Sequence, residues 1–147
     1  MIVLDTNVLS ALMQRAPDPR VVDWLDRQPA PDVWTTTVTL FEARYGIRLL
    51  PPGQRRDRLV AAFEEALAEE LEGRVLAFDA PAAAAAAELA AARRAAGRPV
   101  DVRDTLIAGI ARARRAVIAT RNVRHFEGCG VEVVDPWAGE LPAIAGE

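Results

Sequence analysis

A chain of 147 residues with 51% hydrophobic residues and a net charge of −3 predicts one domain with a sizeable core; it lacks both the roughly 20-residue apolar run of a membrane span and a signal-like N-terminus, which predicts a cytoplasmic protein. The single cysteine, Cys129, excludes an internal disulfide and a cysteine-rich zinc site, and the single histidine, His125, argues against a Ser-His-Asp or Cys-His hydrolase. All 18 basic residues are arginine, and this lack of lysine argues against Walker-type phosphate loops, receiver folds and aspartate-phosphorylated phosphatases.

The first third of the chain alternates apolar strands with helices. The apolar run 1–4 predicts a buried strand, which Asp5, Thr6 and Asn7 end with polar side chains. The following pattern predicts helices over 7–14 and 17–28, a strand over 33–36 and, after a Thr37 cap, a helix over 38–50. On that last helix, the spacing predicts an inward face made of Val38, Phe41, Tyr45 and Leu49, with Glu42 at its edge.

The rest of the chain continues the alternation. We predict helices over 54–72, from the Asp79 cap through 96, and over 102–115, and strands over 75–78, 117–119 and 131–134. The alanine run 82–87 indicates close helix packing rather than disorder, because alanine favours helix. This order predicts a mainly parallel sheet covered by helices on both faces, formed by residues 1–137 and followed by a loosely attached tail, 138–147.

Polar residues at the predicted strand ends and inner helix faces suggest a metal site. Asp5 follows the first strand, and Asn122 follows the strand 117–119, so parallel strands would bring both to one edge of the sheet. Asp104 shares a helical face with Ile107 and Ala108, where a carboxylate needs a partner or a metal ion. Each has an alternative: Asp5 as a helix cap, Glu42 as a solvated residue, Asp104 in a capping box with Asp101, and Asn122 as a turn residue.

Oxygen donors of this kind suit one or two Mg²⁺ or Mn²⁺ ions, and the chemistry that they imply is hydrolysis of a phosphodiester. Nine arginines lie between residues 90 and 126, against two aspartates, so this third of the chain is able to follow a phosphate backbone. For any single arginine, a solvated helix surface is an equal alternative.

Four segments together resemble the PIN-domain family, and more closely the VapC ribonuclease toxins of bacterial toxin–antitoxin pairs: MIVLDTNVLSAL, FEARYGI, GRPVDVRDTLIAGIA and ATRNVRHFEGCG. The resemblance covers residues 1 to about 137. It implies a PIN-like three-layer α/β/α sandwich with a mainly parallel central sheet. It also implies an acidic cluster that binds Mg²⁺ or Mn²⁺ and activates water for RNA cleavage.

The resemblance also implies roles for individual residues. Asp5, Glu42 and Asp104 match the acidic metal ligands, and Asn122 stands where many members have a fourth acidic residue. Thr6 and Asn7 would support the cluster, and Arg121 and Arg124 would hold RNA phosphates. His125 replaces an aspartate that often precedes the phenylalanine, which leaves both a second metal site and the role of His125 open.

As partners, the resemblance implies a second copy of the chain in a homodimer, an RNA substrate and a cognate antitoxin whose C-terminal segment blocks the active site. Two alternatives to a ribonuclease remain from the sequence. The first is a PIN-like module that binds RNA or protein without cutting, because the fourth carboxylate is missing. The second is a nuclease that acts on DNA.

Overall fold

The chain alternates strands and helices along its length, as the computed structural model shows for residues 1–98 and 101–143. The strands are β1 Ile2–Leu4, β2 Val33–Thr36, β3 Val75–Leu76, β4 Val117–Ala119 and β5 Val133–Val134. The α-helices are α1 Thr6–Leu12, α2 Pro19–Asp26, α3 Thr37–Arg48, α4 Gln54–Glu65, α5 Ala80–Ala95 and α6 Val102–Arg114. A π-helical turn, Ala66–Glu70, continues α4, and 3-10 turns cover Ala30–Asp32, Val123–Phe126 and Pro136–Ala138.

The five strands form one sheet in the order β3-β2-β1-β4-β5, and every pairing is parallel. The first strand of the chain is therefore the central one, with β2 and β4 on its two sides. The register pairs Leu4 with Ala119, so the residues that follow β1 and β4 leave the sheet side by side. The predicted parallel α/β fold is confirmed.

Two apolar clusters cover the two faces of the sheet, because successive side chains of a strand point to opposite faces. Ile2 and Leu4 of β1 face a cluster with α1, α2, α3 and α4, in which Trp24 and Phe63 are fully buried. Val3 faces a second cluster, formed mainly by α5 and α6. The three layers of the sandwich follow from this division.

Several boundaries differ from the sequence prediction. The strands β3 and β5 have two residues each, shorter than the predicted 75–78 and 131–134. Helix α1 begins at Thr6 and ends at Leu12 instead of covering 7–14. The helix predicted over 54–72 is α-helical only as far as Glu65 and continues as the π-helical turn Ala66–Glu70. The cap of α3 is Thr36 rather than Thr37: the Thr36 hydroxyl accepts from the Thr39 amide at 3.1 Å.

The predicted inward face of α3 is wrong except for Val38. Phe41, Tyr45 and Leu49 are 60%, 52% and 67% exposed, whereas the buried side of the helix carries Val38, Thr39, Ala43 and Ile47. The helix packs against α1 and β2, and its buried residues are all small or β-branched. Choosing the large apolar residues of α3 therefore identified the wrong face of the helix, although Glu42 does lie at the edge of the face that is buried.

The alanine-rich helix α5 packs closely against α6, as the alanine run indicated. A Cβ atom added at Gly109 of α6 would lie 2.6 Å from the Ala86 Cβ and 2.7 Å from the carbonyl oxygen of Ala82. The backbones of the two helices are therefore in contact at this point, and only glycine fits there. This packing fixes the position of α6, the helix that carries Asp104.

The segment after Trp137 is predicted to be loosely attached, but its described part, which extends to Ala143, makes contacts with the rest of the domain. The Trp24 indole N–H donates to the carbonyl oxygen of Glu140, and the Glu140 carboxylate accepts from the Asp135 amide at 2.8 Å. Residues 144–147 of the predicted tail lie outside the described residues, as do residues 99–100 before α6. No helix in the described ranges, 1–98 and 101–143, has the length and hydropathy of a membrane span.

Candidate active site

One pocket of about 600 Å³ opens at the carboxyl ends of β1 and β4. Its lining includes every predicted site residue except Arg124, namely Asp5, Thr6, Asn7, Glu42, Asp104, Arg121 and Asn122. These residues come from four separate parts of the chain. Arg124 is exposed and lies in the 3-10 turn Val123–Phe126, outside the lining of the pocket.

Asp5 is the most buried carboxylate in the pocket, with 5% of its surface exposed. Its Oδ1 accepts from the Thr6 amide at 2.8 Å, which makes Asp5 the N-cap of α1, and its Oδ2 accepts from the Thr120 hydroxyl at 2.7 Å. The two interpretations of Asp5 from the sequence, a helix cap and a metal ligand, are thus compatible, since Oδ1 caps the helix while Oδ2 is turned to β4. Carboxylate oxygens have further lone pairs for a cation.

Thr120 is a functional candidate that sequence reasoning missed. It is fully buried, and its hydroxyl joins Asp5 to both neighbouring loops by accepting from Asn7 Nδ2 at 3.1 Å and from the Asn122 amide at 3.0 Å. A usable signal was present: both β1 and β4 end in a polar triplet, Asp-Thr-Asn and Thr-Arg-Asn. In a parallel pair these triplets meet, so Thr120 falls beside Asp5.

Asn7 connects the loops that follow β1 and β4. Its amide nitrogen lies 3.3 Å from Asp5 Oδ2, and its Oδ1 accepts from the Arg121 backbone amide at 3.1 Å. The Arg121 guanidinium lies 5.1 Å above the ring of Trp137, a cation–π contact. Asn7 therefore orients the carboxylate of Asp5, and the Arg121 side chain is held at the rim of the pocket.

Glu42 reaches the pocket from α3, with 17% of its side chain exposed. Its Oε2 lies 3.5 Å from the guanidinium of Arg103, in the first turn of α6. The prediction of a glutamate at the border of a buried face is correct, but this glutamate is not simply solvated. Its charge is directed into the pocket and has one arginine beside it.

Asp104 enters the pocket from the first turn of α6, and its predicted neighbours Ile107 and Ala108 are fully buried. Asp101 is the N-cap of the helix and accepts from the Asp104 amide at 3.1 Å, which confirms the capping role of Asp101. The Asp104 carboxylate is turned elsewhere: its Oδ2 lies 3.1 Å from Nδ1 of His125. His125 is thus an exposed residue in contact with a pocket carboxylate.

Asn122 and His125 lie on a loop that α5 holds in place. Arg93 donates from Nη2 to the carbonyl oxygens of His125 and Glu127, at 3.0 and 2.8 Å. Asn122 begins the 3-10 turn and lines the pocket next to Thr120. Arg93 therefore ties this loop to α5.

The three carboxylates share an unfavourable electrostatic environment. Burial raises the pKa of Asp5, despite the opposing hydrogen bonds from Thr120 and Thr6. Burial also raises the pKa of Glu42 and that of Asp104, and the charge of Asp5 adds to both effects. The ionised forms of the three carboxylates are therefore disfavoured where no cation is bound.

We expect the unfolding free energy of the metal-free protein to fall as pH rises above about 4. The folded protein has raised pKa values for Asp5, Glu42 and Asp104, so it binds more protons than the unfolded chain from the ordinary values of 3.8 and 4.5 up to the raised ones. Stability from these groups is therefore present at low pH and is lost through that interval. Asp18, with a pKa lowered to about 2, acts in the opposite sense at lower pH.

Thermal unfolding in EDTA between pH 4 and 7 tests this expectation, with Asp104→Asn beside the natural sequence. The variant should gain stability relative to the natural chain as pH rises, because it has no charge at this position. A stability difference that does not change with pH would contradict the assignment.

Replacing Thr120 with valine should raise the pKa of Asp5 further, because the Thr120 hydroxyl is the strongest group that lowers it. The change should also cost about 1–3 kcal/mol of unfolding free energy, since buried polar partners lose their hydrogen bonds. Thr120→Ser, which keeps the hydroxyl, is the matched control. Carboxyl NMR titration and denaturant unfolding give both quantities; equal behaviour of the two variants would refute this role of Thr120.

The donor set of the pocket fits a hard divalent cation, because it offers carboxylate and amide oxygens under a negative field that a cation would relieve. Asp5, Glu42 and Asp104 are the candidate ligands. Within residues 1–98 and 101–143, no three acidic, histidine or cysteine side chains are already arranged as a coordination group. Binding would therefore require side-chain movement, in particular away from Arg103 and His125.

Comparison with known proteins adds the family. Residues 2–129 match the family model described as PIN domain. The plasmid stability protein StbB of Pseudomonas syringae pv. tomato is 43% identical over 93% of this chain and 99% of its own length, and the VapC ribonuclease Y4jK of Sinorhizobium fredii is 36% identical over 93% of this chain and 98% of its own.

Among solved structures, FitAB bound to the IR36 DNA fragment superposes with a TM-score of 0.84 at 34% identity, covering 97% of this chain and 99% of that one. Other structural neighbours are also toxin–antitoxin complexes. The span matched by the family model contains Asp5, Glu42, Asp104 and Asn122 and ends before β5.

Proposed function

Because the chain belongs to the PIN-domain family, we propose that it is a Mg²⁺- or Mn²⁺-dependent endoribonuclease, the toxin of a toxin–antitoxin pair. The observation that carries this proposal is the convergence of Asp5, Glu42 and Asp104 in one pocket, with burial raising the pKa of each carboxyl group. Relatives named as ribonucleases support nuclease activity.

In this proposal Asp5, Glu42 and Asp104 would hold the cation, and Asn122 would contribute its amide at the same edge. The bound cation would lower the pKa of a water molecule and offset charge on the phosphoryl oxygens during hydrolysis. Thr120 and Asn7 keep Asp5 oriented through their hydrogen bonds to Oδ2. Thr6 offsets part of the rise that burial causes in the pKa of Glu42, and this favours the ionised form that binding of a cation requires.

Arg121 is the stronger of the two predicted phosphate contacts. It lines the pocket, and Trp137 supports its guanidinium from one side, so the charge is positioned before RNA arrives. Arg124, outside the pocket lining, would contact only a more distant part of an RNA strand. Both assignments belong to the proposal.

As partners we propose an antitoxin protein and a second copy of the chain. Structural neighbours that are toxin–antitoxin complexes support the first. Phe41, Tyr45 and Leu49 form an exposed apolar stripe on α3, beside Glu42, and the Phe41 and Tyr45 rings are stacked with centroids 5.9 Å apart. Such a stripe next to the pocket is a surface that the antitoxin would bury while blocking access.

A second candidate function is a module that binds RNA or protein without cutting it. Two contacts favour it: Arg103 lies beside Glu42 and His125 beside Asp104, so two of the three carboxylates already have cationic or potentially cationic neighbours. The asparagine at position 122 in place of a fourth carboxylate points the same way.

The deciding experiment incubates the purified, partner-free protein with total cellular RNA in Mg²⁺ or Mn²⁺, beside EDTA and Asp5→Asn controls. Discrete cuts that require both the metal and Asp5 are the expected result. Intact RNA in every lane, from protein shown to be folded, would refute the nuclease and favour the binding module. A parallel arm with single-stranded DNA tests the remaining alternative, because contacts to the 2′-hydroxyl allow a protein to prefer RNA.

A further inference from the structure

Arg103 is a pocket residue with no role in the function proposed so far. It lies in the first turn of α6, directly before Asp104, and it lines the pocket that contains the three carboxylates. Half of its side chain is exposed, and its Nη1 lies 3.5 Å from Glu42 Oε2. The side chain thus contacts a proposed metal ligand while part of it still faces solvent at the mouth of the pocket.

The contact between Arg103 and Glu42 is longer than several ion pairs of the chain and is similar in length to Arg74–Glu72 at 3.5 Å and Arg112–Glu88 at 3.7 Å. Arg44–Glu64 and Arg114–Asp79 are both hydrogen-bonded at 2.8 Å, shorter than the 3.5 Å of the Arg103 pair. An arginine forms its strongest carboxylate or phosphate contacts through two parallel hydrogen bonds at short distance. Arg103 is therefore held near Glu42 by charge and remains able to form a better contact elsewhere.

Glu42 would have two competing uses for its carboxylate. A divalent cation bound by Glu42 would repel the adjacent guanidinium, because like charges within a few ångströms oppose each other. Arg103 would then turn toward solvent, where its half-exposed side chain already has room. The opposite charge that reaches this mouth in a nuclease is a phosphate of the substrate.

We propose that Arg103 is a substrate-positioning residue that is coupled to the metal: it neutralises Glu42 when no cation is bound, and it binds an RNA phosphate once a divalent cation has taken Glu42. This inference rests on the proposed function and extends it to the order of binding. Arg121 differs because Trp137 and not a carboxylate holds its guanidinium. Of the two arginines that line the pocket, Arg103 is the one that contacts a proposed ligand, so it is able to link the two events.

The first test measures Mn²⁺ binding by calorimetry, without RNA. Arg103→Gln should tighten Mn²⁺ binding about two- to five-fold, because a cation would no longer have to break the ion pair, and this factor corresponds to the usual free energy of a partly exposed pair. In a Glu42→Gln background the gain should be clearly smaller, because only the direct repulsion between the guanidinium and the cation is then relieved. Arg112→Gln is the matched control: Arg112 is on the same helix and pairs with Glu88 at 3.7 Å, away from the pocket.

The second test measures binding of a labelled single-stranded RNA by fluorescence anisotropy, in Ca²⁺ and in EDTA, with gels to verify that the RNA remains intact. In Ca²⁺, Arg103→Gln should weaken RNA binding about ten-fold and make the negative slope of log K against log salt shallower by about 0.7, as expected for one lost phosphate contact on a single strand. In EDTA the difference should shrink to about two-fold, because Glu42 then holds the arginine.

Unchanged Mn²⁺ affinity in Arg103→Gln, or tightening that is equally large in the Glu42→Gln background, would overturn the competition. An equal loss of RNA affinity with and without the metal would overturn the coupling. Neither measurement depends on RNA cleavage. A failure of the nuclease proposal is thus seen in the digestion of total RNA, and a failure of this inference is seen here.

Discussion

Replacing Asp104 with asparagine should lower RNA cleavage by more than about a hundred-fold, because loss of even an outer-shell partner of a metal ligand costs about ten- to a hundred-fold. The fold should remain intact. Asparagine keeps the size of the side chain, and the cap of α6 depends on the Asp101 side chain rather than on that of Asp104. Cleavage rates in Mg²⁺, with circular dichroism of both proteins, measure the two effects separately.

Asp101→Asn is a strict control for this prediction. Asp101 also lines the pocket, so the substitution removes one negative charge from the same site. Asparagine is as good a helix cap as aspartate, so α6 is preserved. We expect this variant to retain cleavage within a few-fold. Equal losses in the two variants would show that the pocket needs only total charge, and full activity of Asp104→Asn would exclude it as a ligand.

The second large effect concerns Gly109, where α5 and α6 touch. Gly109→Ala should lower the unfolding free energy by about 1–3 kcal/mol, the usual cost of an overpacked core, although alanine in a helix by itself gains about 1 kcal/mol. The added methyl group would meet backbone atoms of Ala82 and Ala86, which cannot move without displacing α5. Denaturant unfolding of the metal-free protein gives the free energy directly.

The same substitution at Gly46 should have the opposite sign. Gly46 is inside α3, and a Cβ atom placed there would have no atom within 4 Å. Only the helix preference of alanine then operates, so we expect a gain of up to about 1 kcal/mol. A pair of variants that shift stability in the same direction would contradict the packing between α5 and α6.

Much of the fold is predictable because the alternation of apolar strands with capped helices is a local signal. Asp79 and Asp101 cap their helices as predicted, and the parallel order of the sheet follows from the long connections between strands. The face of α3 is not predictable in this way. Burial of Ala43 and Ile47 instead of Phe41 depends on how close α1 comes, which no local pattern records.

The candidate site divides along the same line. Asp5, Glu42, Asp104 and Asn122 could be selected from the ends of strands and the inner faces of helices, and the structure brings them to one pocket. The contacts of Thr120 with Asp5 and of Arg103 with Glu42 join distant parts of the chain. Their residue types have many ordinary uses, and it is the register of β1 with β4 and the approach of α6 to α3 that bring them together.

The central place of β1 in the sheet has a consequence for the timing of synthesis. Asp5 is translated 115 positions before Thr120, its hydrogen-bond partner, and β1 has β4 as a neighbour. Polypeptides emerge from the ribosome N-terminus first, at about 5–20 residues per second. Several seconds therefore pass between the synthesis of Asp5 and that of β4, the strand that completes its surroundings. A nascent chain therefore has no assembled pocket until β4 and Thr120 have been made and have joined β1.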